Sequence, residues 1–409
     1  MRISRNQSHQ FTRRSRRGSG CLPFFILIGV AVSVVAFGRN WIGQWINLNR
    51  TQDTQINLQS ARSAFESGNL TTSIEYANQL LRESPTQEQV ILLLVRALIY
   101  QSYSDFDGEN NRLRALEISG QGLASFPRSL DIQAIHAYAL QANNRSDEAG
   151  RKALRVIDQS PENIMARIVL SMSYRSQGIF EASLREANVA VSLANQYQQE
   201  QVESYRTLAN AYSNVGQYEN ALLSINRAIE FNHKLIPLHF ERALYAIQLG
   251  NTDQATVSYF QIIAFDEDNA KVRFRLCELS SNLQERDVAI RYCEEVTQLA
   301  PEWSDGWYKL GHEYFLRGNL DKAQASFHQC STLQVKQDVP IPDRRFECWY
   351  LQGQSAEITG DCQALLTIYH EFLDMTKRAD IPQTWTYPPE GPPACAGIPP
   401  TVTAIYNTP

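Results

Sequence analysis

The chain has 409 residues, 43% of them hydrophobic, with seven cysteines and a formal charge of −5. That apolar content can bury an extended core, which excludes a wholly disordered chain. Six arginines and no acid occupy residues 1–20, leaving −11 for the remainder. An acidic remainder does not indicate a nucleic-acid surface.

In chain order, the basic N-terminus (1–20, with Arg2, Arg5, Arg13, Arg14, Arg16 and Arg17) is followed by Cys21–Gly38, 18 residues without a charge. Trp41, Ile42, Trp45 and Ile46 extend its apolar character. At ~1.5 Å per residue the uncharged run reaches ~27 Å, close to a hydrocarbon core of ~30 Å. Only Arg39 and Arg50 follow before residue 54. The expectation is a single transmembrane anchor over 21–46 with interfacial tryptophans and a cytoplasmic N-terminus. The rest of the chain would then lie outside the cytoplasm, at the plasma membrane. A cleaved signal peptide ending near Ala36-Phe37-Gly38 is the alternative. Cys21 follows Arg-Gly-Ser-Gly, which lacks the apolar residues that precede a lipidated cysteine.

After a linker over 47–53, a repeating pattern fills 54–380. Tyr205, Leu208, Ala209, Tyr212, Gly216, Tyr218, Ala221 and Ala228 form one unit, which returns every 34 residues. His239, Ala243, Ala246, Gly250 and Ala255 belong to the next copy, and Leu276, Cys277, Ala289, Val296 and Pro301 to a third. A fourth carries Trp307, Leu310, Gly311, Tyr314, Gly318, Ala323 and Phe327. Each unit holds two apolar stripes at helical spacing with a turn between them, as at Gly216, Gly250 and Gly318. Helices of about 12 residues are marginal alone, so each hairpin must bury its outer face on its neighbours. A fixed period of this length predicts a repeat array.

These residues resemble the tetratricopeptide repeat, whose pattern is Trp-x2-Leu-Gly-x2-Tyr, then Ala, an aromatic and Pro. The unit over 304–337 matches best, and Pro85, Pro127, Pro161 and Pro301 fall at the closing position. Reading outward gives about nine units, starting near Thr54, Glu88, Leu130, Ile164, Val202, Ile236, Ala270, Ser304 and Phe346. The resemblance implies an all-α, right-handed α-solenoid of helix-turn-helix repeats, preceded here by the one transmembrane helix expected over 21–46. The tail over 381–409 is Pro-rich, from Pro382 to Pro400, and is expected to be extended.

Besides Cys21 there are six cysteines, Cys277, Cys293, Cys330, Cys348, Cys362 and Cys395, all in the C-terminal third. An even number beyond a membrane anchor suits an oxidising compartment. Cys277 and Cys293 fall on facing sides of one hairpin, Cys330 ends one unit where Cys348 begins the next helix, and Cys362 could tie the tail down through Cys395. Six cysteines allow fifteen connectivities, so sequence leaves the choice open. Three of them could instead remain reduced in small core positions. A zinc site from His328, Cys330 and Cys348 lacks paired, closely spaced ligands.

The sequence has no phosphate-cradling Gly-rich loop, no His-Glu-x-x-His and no serine elbow, so neither catalysis nor a cofactor or metal is expected. His136 and His239 read as packed histidines, and the acid runs Glu294–Glu295 and Asp266–Glu267–Asp268 as solvated faces or helix ends.

The resemblance implies a concave surface lined by the first helix of each unit. Its lining residues here are Met165, Ile168 and Met172, then Phe240, Leu244 and Ile247, then Phe274, and finally Tyr308, His312 and Phe315. Apolar side chains that the packing pattern does not use suit a partner segment, extended or helical. The family's carboxylate clamp, which captures a partner's C-terminus, matches Arg206, Asn210, Lys271 and Arg275, but its fifth place is Glu241. An acid there opposes a carboxylate or pairs with the cations, giving an ion network within the chain. The expected partners are therefore proteins or peptides, with the lipid bilayer at the N-terminal helix and no nucleic acid. A scaffold or adaptor outside the cytoplasm is the leading reading. A cytosol-facing adaptor of chaperone type, capturing partner C-termini, is the second.

Overall fold

The computed structural model describes residues 58–395 except 105, 107, 389 and 390. The expected anchor over 21–46 lies outside them; among the described residues no helix is long and apolar enough to cross a membrane. From Ser60 onward the chain forms one compact unit, all-α among the described residues.

The helices come in antiparallel pairs. They are α1 (58–66) with α2 (Leu70–Glu83), α3 (Glu88–Ser104) with α4 (Glu109–Ser125), and α5 (Leu130–Ala142) with α6 (Ser146–Gln159). Then come α7 (Ile164–Ser176) with α8 (Phe180–Tyr197), α9 (Gln201–Asn214) with α10 (Tyr218–Phe231), and α11 (Ile236–Gln248) with α12 (Thr252–Phe265). The last are α13 (Ala270–Asn282) with α14 (Arg286–Leu299), α15 (Ser304–Arg317) with α16 (Leu320–Lys336), and α17 (Glu347–Thr359) with α18 (Cys362–Arg378).

Local chemistry explains these boundaries. Ser129, Asn163 and Asn269 each cap a first helix, accepting a hydrogen bond from the backbone N–H three residues on. Apart from α3–α4, the turn inside each pair contains a left-handed residue. Gly216, Gly250 and Gly318 supply it at φ +73°, +74° and +82°, while Asn144 and Gln284 adopt it at 61° and 65°. Within the best-matching unit Gly311 faces Phe327 so closely that a Cβ would lie 2.8 Å from the ring.

The core is a series of small clusters. Ala243, Tyr259, Ile262 and Leu276 form one, and Leu310, Tyr314 and Phe327 belong to the next. That is the layout of a solenoid, where each pair is stabilised by its neighbours. Three cysteine pairs are joined, Cys277–Cys293, Cys330–Cys348 and Cys362–Cys395, with Cα separations of 5.4, 6.0 and 5.4 Å. All six sulfurs are therefore consumed, and a zinc site at Cys330 and Cys348 is replaced by a covalent bridge.

The tail folds back onto the last pair. Residues 381–388 have no helix, and Pro393–Cys395 form a single 3-10 turn. Trp385 is buried edge-on against Tyr350, Tyr369 and Phe372, at 5.4, 5.1 and 5.1 Å between ring centroids. Gly353 makes room for it, since a Cβ there would come within 2.3 Å of the indole.

Candidate binding groove

Successive first helices lie side by side, α3 on α5, α5 on α7 and α7 on α9, and α3 also reaches across to α11. Its sequence explains the crossing. Val90 to Tyr100 is apolar apart from Arg96, and a helix apolar on every side is stable only when covered on every side. Helices α2, α4 and α5 cover part of it, and the inner face of the central repeats receives the rest.

The contacts across this seam are specific. Arg96 donates from Nε and Nη2 to Glu203 Oε1 at 2.8 and 2.6 Å. The Arg206 guanidinium lies 5.3 Å from the Tyr100 ring centroid and 4.8 Å from that of Tyr103. At the C-terminus of α3, Lys271 Nζ donates to the Tyr103 carbonyl at 2.7 Å and Asn269 Nδ2 to the Ser104 carbonyl at 3.1 Å. Those carbonyls have no partner within the helix, and a cation there meets the negative end of its dipole. Phe106 then stacks on Trp303 at 3.8 Å and meets Phe274 edge-on at 6.0 Å. Further back, Asn232 Nδ2 donates to the Phe65 carbonyl at 3.0 Å.

Of the cavities beside α3, two are lined by residues of the expected groove. The larger of these two, about 510 Å³, brings together Arg206, Phe240, Leu244, Ile247, Lys271 and Arg275. It also takes in Tyr103, Tyr259, Glu278, Leu279 and Lys309, which sequence reasoning did not select. Leu244 is 50% exposed there. The smaller, about 220 Å³, holds Met172, Arg206 and Asn210 from the expected groove, together with Tyr103, Tyr138, Arg175, Glu203, Thr207 and Glu241.

The other expected residues stand apart from both cavities. Met165 and Ile168 are 6% and 1% exposed, so they are packing residues and not part of an open surface. Phe274 is engaged by Phe106 and Trp303. Tyr308 and Phe315 pack on the cluster around Phe327, and His312 Nδ1 lies 3.8 Å from Glu313.

The clamp positions have partners in the chain. Arg206 is held by Glu241 at 2.6 Å, and Asn210 Nδ2 lies 3.4 Å from the other oxygen of that carboxylate. Lys271 is on the Tyr103 carbonyl, and Arg275 pairs with Glu278 at 2.6 Å. Glu241 therefore pairs with one clamp cation, Arg206, while Lys271 and Arg275 are engaged elsewhere.

Burial sets the remaining electrostatics. The Tyr138 and Tyr245 hydroxyls are pushed well above the ordinary phenol range, first by loss of solvent. Glu200 is raised to about 7 by burial, with Arg96 opposing and Glu203 adding to the rise. What sequence reasoning missed is α3 as the occupant of the groove; the signal was the nearly uninterrupted apolar run from Val90 to Tyr100.

The profile of the tetratricopeptide repeat family matches residues 202–234 and 304–334. No curated protein matches the chain. Among solved structures, the human IFIT1 dimer with m7Gppp-AAAA is similar at 12% identity and a TM-score of 0.53, over 86% of this chain and 80% of that one. The Cut9–Hcn1 hetero-tetramer of the APC/C aligns at 16% identity and a TM-score of 0.49, over 75% of this chain; the chain spans 56% of its length. YrrB, described as having an unusual peptide-binding site, aligns at 18% and 0.34 over 44% of this chain and 92% of its own. At these identities the likeness is one of fold.

Proposed function

Because the chain is a tetratricopeptide-repeat protein, we propose that it is a non-catalytic scaffold that binds segments of partner proteins outside the cytoplasm. Residues 21–46 would anchor it in the plasma membrane. The reading of topology is supported by the arginines before the apolar segment and by three cysteine pairs at bonding distance, which suit an oxidising compartment.

The observation that carries the binding reading is the cavity of about 510 Å³ beside α3. Leu244 is half-exposed there, next to Phe240 and Ile247, and Lys271, Arg275 and Lys309 stand around it. With α3 filling the rest of the inner face, the accessible stretch suits a short segment. An apolar side chain is the complementary chemistry, since the cations around the cavity are already engaged within the chain. Capture of a partner's C-terminus in the clamp is disfavoured, because Arg206 and Arg275 are already paired. RNA, by analogy with the IFIT1 complex, is disfavoured by the acidic balance beyond residue 20.

The test is a cross-linked pull-down of the full-length protein from native membranes beside Leu244→Glu. The substitution is at an exposed site, so folding is retained. Loss of a cross-linked partner in the variant is the expected result. Recovery of the same partners in equal yield would place binding elsewhere.

A further inference from the structure

We infer that this chain pairs with a second copy of itself by exchanging halves about a hinge at 198–200, so that α1–α8 of each copy seat on α9–α18 of the other. The hinge is strained. Where α2, α6, α10 and α12 end, at Ser84, Ser160, Asn232 and Asp266, the chain leaves the helix in extended backbone, at φ between −139° and −149°. The connection from α8 to α9 departs from this pattern. Gln198 closes α8 at φ 58° and Glu200 opens α9 at φ 43°, both left-handed. Gly, Asn and Asp enter that region readily, whereas Gln and Glu do so at a cost. Two such residues in so short a connection hold α9 back against α8 under backbone strain, and a short strained hinge favours exchange. Gln198 and Gln199 are exposed, so the hinge can extend without uncovering a core.

The contacts divide at the same place. Each side-chain contact described above for the α3 seam joins a residue before 198 to one after 200. Arg96 meets Glu203, Tyr103 meets Arg206 and Lys271, Ser104 meets Asn269, and Phe65 meets Asn232. The packing of α8 on α9 divides likewise, with Leu184, Ala187 and Val191 against Leu208, Ala211 and Tyr212. All of these re-form between two copies when the hinge extends. Exchange therefore keeps the contacts and releases the strain at both hinges. Association costs translational and rotational freedom, so the dimer gains on the closed monomer as concentration rises. A second copy is the occupant that fits, because the surface beneath α3 already matches α3 in charge and in its bonds to the helix end.

Exchange makes the groove composite. Tyr103 of one copy joins Phe240, Leu244 and Lys271 of the other, so each cavity of about 510 Å³ is completed by the second chain. The inference stands whether or not that cavity binds a segment of another protein.

The experiment is native mass spectrometry of the full-length protein, unfolded in urea with its disulfides intact and refolded in detergent at rising concentration. A dimer that grows with concentration is expected. Gln198→Gly with Glu200→Asp relieves the backbone and keeps an acid beside Arg96, and should weaken the dimer about tenfold or more. Gln199→Pro, which favours an extended residue before it, should strengthen the dimer. Two charge variants report which halves meet. Arg96→Glu sets two acids against each other, and Glu203→Arg sets two bases, in the closed monomer and in a dimer of either variant with itself. Refolded alone, neither should dimerise. Refolded as an equal mixture they should give a one-to-one heterodimer, in which each seam again holds one acid and one base. Monomer at every concentration in both wild type and the Gln199 variant would overturn the proposal. So would a dimer indifferent to the hinge variants, or a mixture yielding no more heterodimer than either variant yields homodimer.

Discussion

Single residues here are held by their neighbours strongly enough to make pH a probe. The Glu313 side chain is fully buried and receives bonds from Ser281 at 2.6 Å, Lys309 at 2.7 Å and Arg286 at 2.9 Å. Burial alone would raise its pKa, but His312, Lys309 and Ser281 together hold it well below the ordinary 4.5. A depressed carboxylate stabilises the fold above its unfolded value and loses that contribution as pH falls below about 4.5. Glu313→Gln should cost about 3 kcal/mol or more at pH 7, by leaving Arg286 and Lys309 without their anion. In urea titrations the difference from wild type should shrink as the buffer is taken below pH 4.5.

His239 acts in the same direction through the opposite group. Its Nε2 donates to the His233 carbonyl at 2.7 Å, so Nδ1 is left to accept from Arg242. Burial is the main cause that pushes this ring down to about 4, and it remains neutral in the fold. The unfolded chain takes up the proton near 6.5, so stability falls with acidification from about pH 6.5 to 4, by up to about 3 kcal/mol. A variant with His239→Gln should show a flatter profile across that window.

At the scale of elements, the question is what holds α3 in the groove. Arg96 and Glu203 meet in a mostly buried pair. Arg96→Met should cost about 3–5 kcal/mol because it strands a buried carboxylate, whereas adding Glu203→Leu should recover much of the loss. Amide exchange of α3 measured by mass spectrometry follows both: faster in the single variant, near wild type in the double. If the single variant exchanged as slowly as wild type, the pair would not be what retains the helix.

This is also the scale at which the sequence was only partly readable. The pairs, their turns and the small residues between them follow from a 34-residue period that local packing enforces. Cys277 and Cys293 were readable for the same reason, as two positions on one hairpin. The groove was not, because a repeat pattern describes contacts between neighbours, whereas α3 touches Arg206 and Lys271 from far along the chain. Met165 and Ile168 were assigned to an open surface on register alone, and their burial is a tertiary outcome that register does not contain. The composition of α3 did carry the information, since Leu93, Leu94, Leu98 and Ile99 leave it no polar face.

For the whole molecule, the C-terminal end is closed by its own tail. Trp385 seats against Gly353, and the Cys362–Cys395 bond ties Cys395 to the start of α18. Changing both cysteines to serine should free the tail for protease cleavage after Arg378 while the array stays folded, as read by mass spectrometry and circular dichroism. The local loss should be roughly 2–4 kcal/mol. Gly353→Val should have a like effect with the bond intact, by driving the indole out. An uncleaved tail in both variants would mean that the aromatic contacts of Tyr369 and Phe372 suffice.

The seam between the first repeats and the middle of the array bears on how the protein is made. An open solenoid can condense pair by pair as it leaves the ribosome, since each repeat needs only the one before it. Here the carbonyls of Phe65, Tyr103 and Ser104 wait for Asn232, Lys271 and Asn269, which lie 165 to 168 residues further on. At ~5–20 residues per second that interval is on the order of ten seconds or more. Throughout it, an almost wholly apolar helix is exposed on one side. The nascent chain is thus most vulnerable to aggregation before its middle is synthesised, and a holding factor that shields α3 would act in that window.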